Sequence, residues 1–122
     1  MITRIEFDEY LQSINGLISG VNGNIITSSY FFEVGDGWLD IIKSLIEELI
    51  AVGWNKKVNQ VKEKFGTLRF YTGGVTDEMM DIIKKYTIIS STTCEVCGAT
   101  GKIQNDNGWF SCVCETHMKN NI

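Results

Sequence analysis

Three apolar stretches at helical spacing, two β-prone hairpins and a C-terminal pair of knuckles, Cys94-x-x-Cys97 and Cys114-x-x-His117, predict an α+β fold. In that fold three helices pack on a small antiparallel sheet, and a zinc ribbon closes the C-terminus. The chain of 122 residues is read as a 1–92 core with the ribbon, 93–122, packed on it.

The elements follow in order. Phe7, Leu11, Ile14, Leu17 and Ile18 recur at helical spacing and predict a first helix over 6–18, weakened at its end by Gly16. After a turn-rich break at 20–24, the run IITSSYFFEV over 25–34 is β-prone. GDGW follows. Asp36 is the expected N-cap of a second helix that places Trp38, Ile41, Ile42, Leu45, Ile46, Leu49 and Ile50 on one face and ends near Val52-Gly53. Alternation predicts strands over 58–65 and 67–72 around Gly66, with Val61 facing away from Gln60, Lys62 and Lys64. On the return strand Leu68 and Phe70 oppose Arg69 and Tyr71. Thr76, with Asp77 and Glu78 behind it, starts a third helix that carries Met79, Ile82, Ile83 and Tyr86. The last hairpin runs from 102–104 through Asn105-Asp106-Asn107-Gly108 to 109–113, a length that returns Cys114 to Cys97.

The knuckles carry the clearest chemistry. Two residues between ligands let one tight turn aim both side chains at a single ion. Cys94, Cys97, Cys114 and His117 supply all four ligands of a tetrahedral zinc site, so the site is expected to be closed and structural. It consumes the one histidine of the chain. Cys112 is the spare thiol, a small half-buried residue beside the metal.

Composition narrows the rest. An apolar fraction of 43% suffices for one core. MITRIEFDEY lacks the pattern of a secretory signal, and no apolar run reaches the length of a membrane span, so reduced thiols in a cytosol are expected. A net charge of −4 argues against generic attraction to nucleic acid. Yet Lys56, Lys57, Lys62, Lys64 and Arg69 put five of the eleven basic residues within fourteen positions, opposed only by Glu63.

On paired strands, Gln60, Lys62, Lys64, Arg69 and Tyr71 share one face. Such a face offers charge-assisted hydrogen bonds to phosphate or carboxylate, and Tyr71, Trp38 or Trp109 could stack on a ring. By composition alone the favoured reading is a solvated outer face whose lysines block edge pairing. GDGW is open in the same way. It is either a turn with a core tryptophan, or the lip of a pocket at a helix N-terminus, with Glu33 and Asp40 near Asp36. No nucleophile–base pair is evident, so an enzyme is not expected.

GDGW at 35–38, QVKEKFGTLRFY at 60–71, and CEVCG followed by GW and CETH occur here in a fixed order. Together they resemble a family of small uncharacterised proteins of bacteriophages and bacterial genomes. The resemblance spans about residues 34–117. Its pattern falls on Gly37, Trp38, Lys62, Glu63, Lys64, Phe65, Gly66, Leu68, Arg69, Tyr71, Cys94, Cys97, Gly98, Trp109, Cys114 and His117, whereas Cys112 stands where threonine or serine is expected. It implies a phage-type protein in the host cytoplasm. With it, the basic hairpin is expected to hold an anionic small molecule, a nucleotide, through Lys62, Lys64, Arg69, Tyr71, Trp38 and Trp109. The expected role is a sponge that withholds a host immune nucleotide signal. The alternative is a ribbon that docks on and inhibits a host protein. A homo-oligomer is one way for so small a chain to enclose a ligand.

Overall fold

The computed structural model describes residues 1–118; the ribbon's last positions, 119–122, lie outside it. The fold is α+β, with three α-helices among the described residues. Helix α1 (Arg4–Ser13) starts at a capping box: the Thr3 hydroxyl accepts from the Glu6 N–H, and the Glu6 carboxylate accepts from the Thr3 N–H. It is shorter than the apolar spacing predicts. Asn15 and Gly16 both adopt positive φ (63° and 72°), and the Gly16 N–H closes back on Leu11 O at 2.7 Å. Leu17 and Ile18 then leave the helix and form β1 (Leu17–Ser19). The run 25–34 is also no continuous strand. Ser28 caps a 3₁₀ turn, Ser29–Phe31, which separates β2 (Ile25–Ile26) from β3 (Phe32–Glu33).

Helix α2 (Leu39–Ala51) is the centre of the core. Leu39, Ile41, Ile42, Leu45, Ile46 and Leu49 are buried on it, each contributing about 1.5–3 kcal/mol by removal from water. Around it stand Phe7 and Leu11 of α1, Phe32 against Phe7 at 5.0 Å edge to face, and Val61, Leu68 and Phe70. Gly53, at φ 91°, ends the helix.

The strands gather into three small sheets. β1 pairs antiparallel with β2 and parallel with β4 (Lys57–Val58). β5 (Gln60–Lys64) pairs parallel with β3 and antiparallel with β6 (Thr67–Tyr71). β7 (Lys102–Asp106) and β8 (Trp109–Val113) form the C-terminal hairpin. Helix α3 (Asp77–Ser90), capped by Thr76 as predicted, lies along the free edge of β6. There Ser90 Oγ accepts from the Leu68 N–H at 2.9 Å, and Thr87 Oγ1 donates to Leu68 O. The edge is thus covered by helix side chains.

Candidate functional site

The C-terminal ligands come from two tight turns. After Cys94-Glu95-Val96-Cys97, Gly98 takes φ 79°. Its N–H donates to Cys94 O at 2.9 Å, and the Cys94 N–H donates to Ala99 O at 2.7 Å. Cys114 precedes a 3₁₀ turn, Glu115–His117, in which the His117 N–H returns to Cys114 O. The β7–β8 hairpin brings the turns together. The Sγ atoms of Cys94, Cys97 and Cys114 and a ring nitrogen of His117 all lie within 4.8 Å of one another.

A tetrahedron with metal–sulfur bonds of about 2.3 Å and a metal–nitrogen bond of about 2.05 Å has edges of about 3.8 Å (S to S) and about 3.6 Å (S to N). Here Cys97 Sγ and Cys114 Sγ are 3.7 Å apart, and Cys94 Sγ and His117 Nδ1 are 3.7 Å apart. Cys114 Sγ and His117 Nδ1, at 3.2 Å, are slightly closer. The cluster can hold one metal ion, with His117 binding through Nδ1. Burial opposes ionisation of the Cys114 thiol, but hydrogen bonds from the His117 ring and backbone and from the other two thiols outweigh it and bring it down to about 6. Cys94 is also lowered, burial again being overcome, here mainly by backbone N–H groups. Cys112 is fully buried in the core and stands outside the cluster.

GDGW is the seat of this centre. Gly35 caps a 3₁₀ turn, Asp36–Trp38, that runs straight into α2, so Asp36 is not the helix N-cap that the sequence predicts. The Gly37 N–H donates to Glu95 O, and the Gly35 N–H to Glu95 Oε2, both at 2.8 Å. The Trp38 indole N–H donates to Thr93 O, also at 2.8 Å. A Cβ at Gly37 would stand 2.2 Å from Cys94 O, and one at Gly35 would stand 2.3 Å from Glu95 O. Both glycines are there for close approach of backbone to backbone. Burial raises the Glu95 carboxyl, partly offset by the Gly35 N–H, and the Glu63 charge raises it further.

Trp38 must therefore be withdrawn from the ligand-binding set: it is 0% exposed, with its one donor used, so no face of the ring is left for a ligand. Asp36 pairs with Arg4 Nε at 2.7 Å, and Asp40 accepts from the Ile2 N–H, so each carboxylate already has a structural partner. Arg4, which sequence reasoning passed over, also donates to Ser29 O and Val34 O and clamps the approach to the turn.

The basic face is assembled by register. Gln60 opposes Tyr71, Lys62 opposes Arg69, and Lys64 opposes Thr67, so the five named side chains lie on one side of the sheet. Among the described residues, none of the three salt bridges involves Lys62, Lys64 or Arg69. Lys62 and Lys64 line a cleft of about 300 Å³ that Trp109, 65% exposed, closes from the ribbon. Arg69 and Tyr71 line a separate hollow of about 380 Å³ between β6 and α3. The predicted set is thus split between two depressions of one face.

Two residues of the cleft stood outside the predicted ligand set: Phe65 at the hairpin tip, which the resemblance pattern includes, and Phe110 on β8, whose rings meet edge to face at 6.1 Å. The signal was the phenylalanine preceding Gly66 in a two-residue turn. Among the described residues no helix is long and apolar enough to cross a membrane. No family model matches the chain, and neither a curated protein nor a solved structure does, so function rests on the site itself.

Proposed function

We propose that the four-ligand centre binds zinc as a structural ion and that the basic face of β5–β6 holds an anionic small molecule, a nucleotide, without turning it over. Three thiolates and an imidazole suit zinc, a borderline-soft ion without a geometric preference of its own. Four protein ligands leave no position for a reacting water. Bound zinc supplies cross-linking of the two knuckles. The chain's own residues do the rest: Glu95, Thr93, Gly35 and Gly37 tie the first knuckle to the start of α2.

One observation carries the ligand reading. Lys62, Lys64 and Arg69 project from one rigid sheet face and take part in no salt bridge among the described residues, in a protein of net charge −4. Unpaired cations held on strands are preorganised donors for phosphate. The resemblance to phage proteins extends the reading: in a host cytoplasm such a binder would sequester an immune nucleotide signal. A second reading, docking on a host protein, is favoured by the apolar exposure of the ribbon, where Val96, Ile103 and Trp109 are 49%, 41% and 65% exposed.

Native mass spectrometry of the purified chain, followed by calorimetry against a nucleotide panel, tests the proposal. Expected are one zinc per chain, a nucleotide recovered intact, and loss of binding in Lys64→Ala with zinc content unchanged. Zinc without nucleotide binding across the panel would overturn the ligand reading and leave the docking module. Recovery of a hydrolysed nucleotide would overturn its non-enzymatic part.

A further inference from the structure

Among the described residues two hairpins are closed by two-residue turns in which both central residues have positive φ. In the ribbon the pair is Asn107-Gly108, at φ 52° and 86°, the residues this turn favours. In the β5–β6 hairpin the pair is Phe65-Gly66, at φ 55° and 84°. The same backbone thus carries asparagine in one place and a bulky aromatic in the other, where a left-handed conformation costs about 1–2 kcal/mol. Packing offsets little of that cost, because Phe65 is 61% exposed. Its ring meets Phe110 edge to face and the ammonium of Lys64, 5.5 Å from the ring centroid. Backbone strain clusters at ligand clamps and functional sites, and here an exposed aromatic beside a cleft bears it.

From these positions we infer that Phe65, with Phe110 and Trp109 across the cleft, is a ring-binding subsite, so that the ligand is a phosphate ester carrying a flat heterocycle rather than a bare phosphate or an aliphatic one. This rests on the anionic-ligand reading and assigns its two ends. The ring lies against the hairpin tip and the ribbon tip, and the phosphate lies on Lys62 and Lys64, which line the same cleft; Glu63, which also lines it, accepts from the Gly66 N–H at 2.7 Å. The two chemistries adjoin: the lysines come from β5 and the aromatic rings from turn and ribbon, with the Lys64 ammonium 5.5 Å from the Phe65 ring centroid. Stacking is tolerant of base identity, so the subsite selects for a ring more than for one base.

The test is Phe65→Asn, which copies the residue used at the other turn. Nucleoside monophosphates of all four common bases, and inorganic pyrophosphate as the ring-free control, are titrated against the full-length zinc-loaded protein by calorimetry, with thermal midpoints measured in parallel. The wild-type protein is expected to bind at least one nucleotide. Phe65→Asn is expected to bind it about ten-fold or more weakly, the loss of one stack. Its pyrophosphate binding is expected to be unchanged and its midpoint equal or higher. Phe110→Leu, which keeps apolar bulk without the ring, is expected to weaken nucleotide binding alone. Wild-type protein that binds neither nucleotide nor pyrophosphate refutes the anionic-ligand reading itself. Nucleotide binding that Phe65→Asn retains refutes only the ring subsite. A lowered midpoint with binding intact makes Phe65 a packing residue and refutes it too.

Discussion

Gly37→Ala should undo the junction between the metal knuckle and the core, and the size of the effect can be worked from distances. Gly37 is buried, and its φ lies outside the left-handed region, so the objection to alanine is steric. The new Cβ would stand 2.2 Å from Cys94 O, 2.6 Å from Gly98 N and 2.8 Å from Cys97 N, all backbone atoms of the knuckle. To reach van der Waals distance the knuckle must retreat by roughly 1 Å. The hydrogen bonds from Gly37 N to Glu95 O and from Trp38 Nε1 to Thr93 O, both 2.8 Å, then stretch beyond bonding range. Overpacking costs about 1–3 kcal/mol, and each of the two lost bonds about 1 kcal/mol, giving about 3–5 kcal/mol in all. For a domain of this size that lowers Tm by roughly 12–20 °C.

Calorimetry on the metal-loaded protein measures it, and near-UV circular dichroism follows the surroundings of Trp38. Gly73 supplies the control: a Cβ there meets nothing within 4 Å, so Gly73→Ala should change stability by no more than about 0.5 kcal/mol. If Gly37→Ala melts within about 2 °C of the wild type, or no lower than Gly73→Ala, the close-approach argument for GDGW is wrong.

Two further outcomes follow from the core. Ser90→Ala removes a fully buried hydroxyl and strands the Leu68 N–H against α3. It should cost about 1–3 kcal/mol by urea denaturation, and a change under about 0.5 kcal/mol would show that the β6 edge finds another acceptor. Burial, then the Glu47 charge, pushes the Tyr10 phenol up to about 12, and burial with the Glu48 hydrogen bond does the same for Tyr86. Between pH 10 and about 12 the unfolded phenols lose protons that the folded ones keep, so stability is intact below pH 10 and falls as pH rises through that window. Denaturation midpoints across it should fall less steeply in Tyr10→Phe. The Tyr10 hydroxyl is also buried without a partner, so the substitution should be neutral or slightly stabilising at pH 7; an unchanged slope would refute the assignment.

What was legible in the sequence was what is local. The knuckle spacing Cys94-x-x-Cys97 and Cys114-x-x-His117 specifies a turn-borne ligand pair wherever it lies, and the described cluster agrees with it. The shared face of Lys62, Lys64, Arg69 and Tyr71 follows from alternation, but the expected strand ran through Phe65; the turn takes both Phe65 and Gly66, and that two-residue loop sets the register that pairs Lys62 with Arg69. The apolar face of α2 was read nearly residue for residue. The first helix was overrun because Leu17 and Ile18 satisfy a helical period as well as a strand, and only the left-handed pair Asn15 and Gly16 decides between them. GDGW was opaque for a different reason: the partners of Gly35, Gly37 and Trp38 stand at positions 93–98, and no local pattern records a distant backbone approach. The split of the basic face was equally hidden, since register places Arg69 beside Lys62 but α3 decides which hollow Arg69 lines.

The seat of the knuckle also has a timetable. Trp38 and its acceptor Thr93 are 55 residues apart, and Gly35 and Glu95 are 60 apart. At a synthesis rate of about 5–20 residues per second, the start of α2 leaves the ribosome roughly 3–12 s before the segment that covers it. Throughout that interval the indole is bare on one side and two glycine N–H groups have only water to bond. Every nascent chain thus passes through a stage in which its helical half is made but unsealed. The arrival of residues 93–95 decides when the start of α2 is sealed.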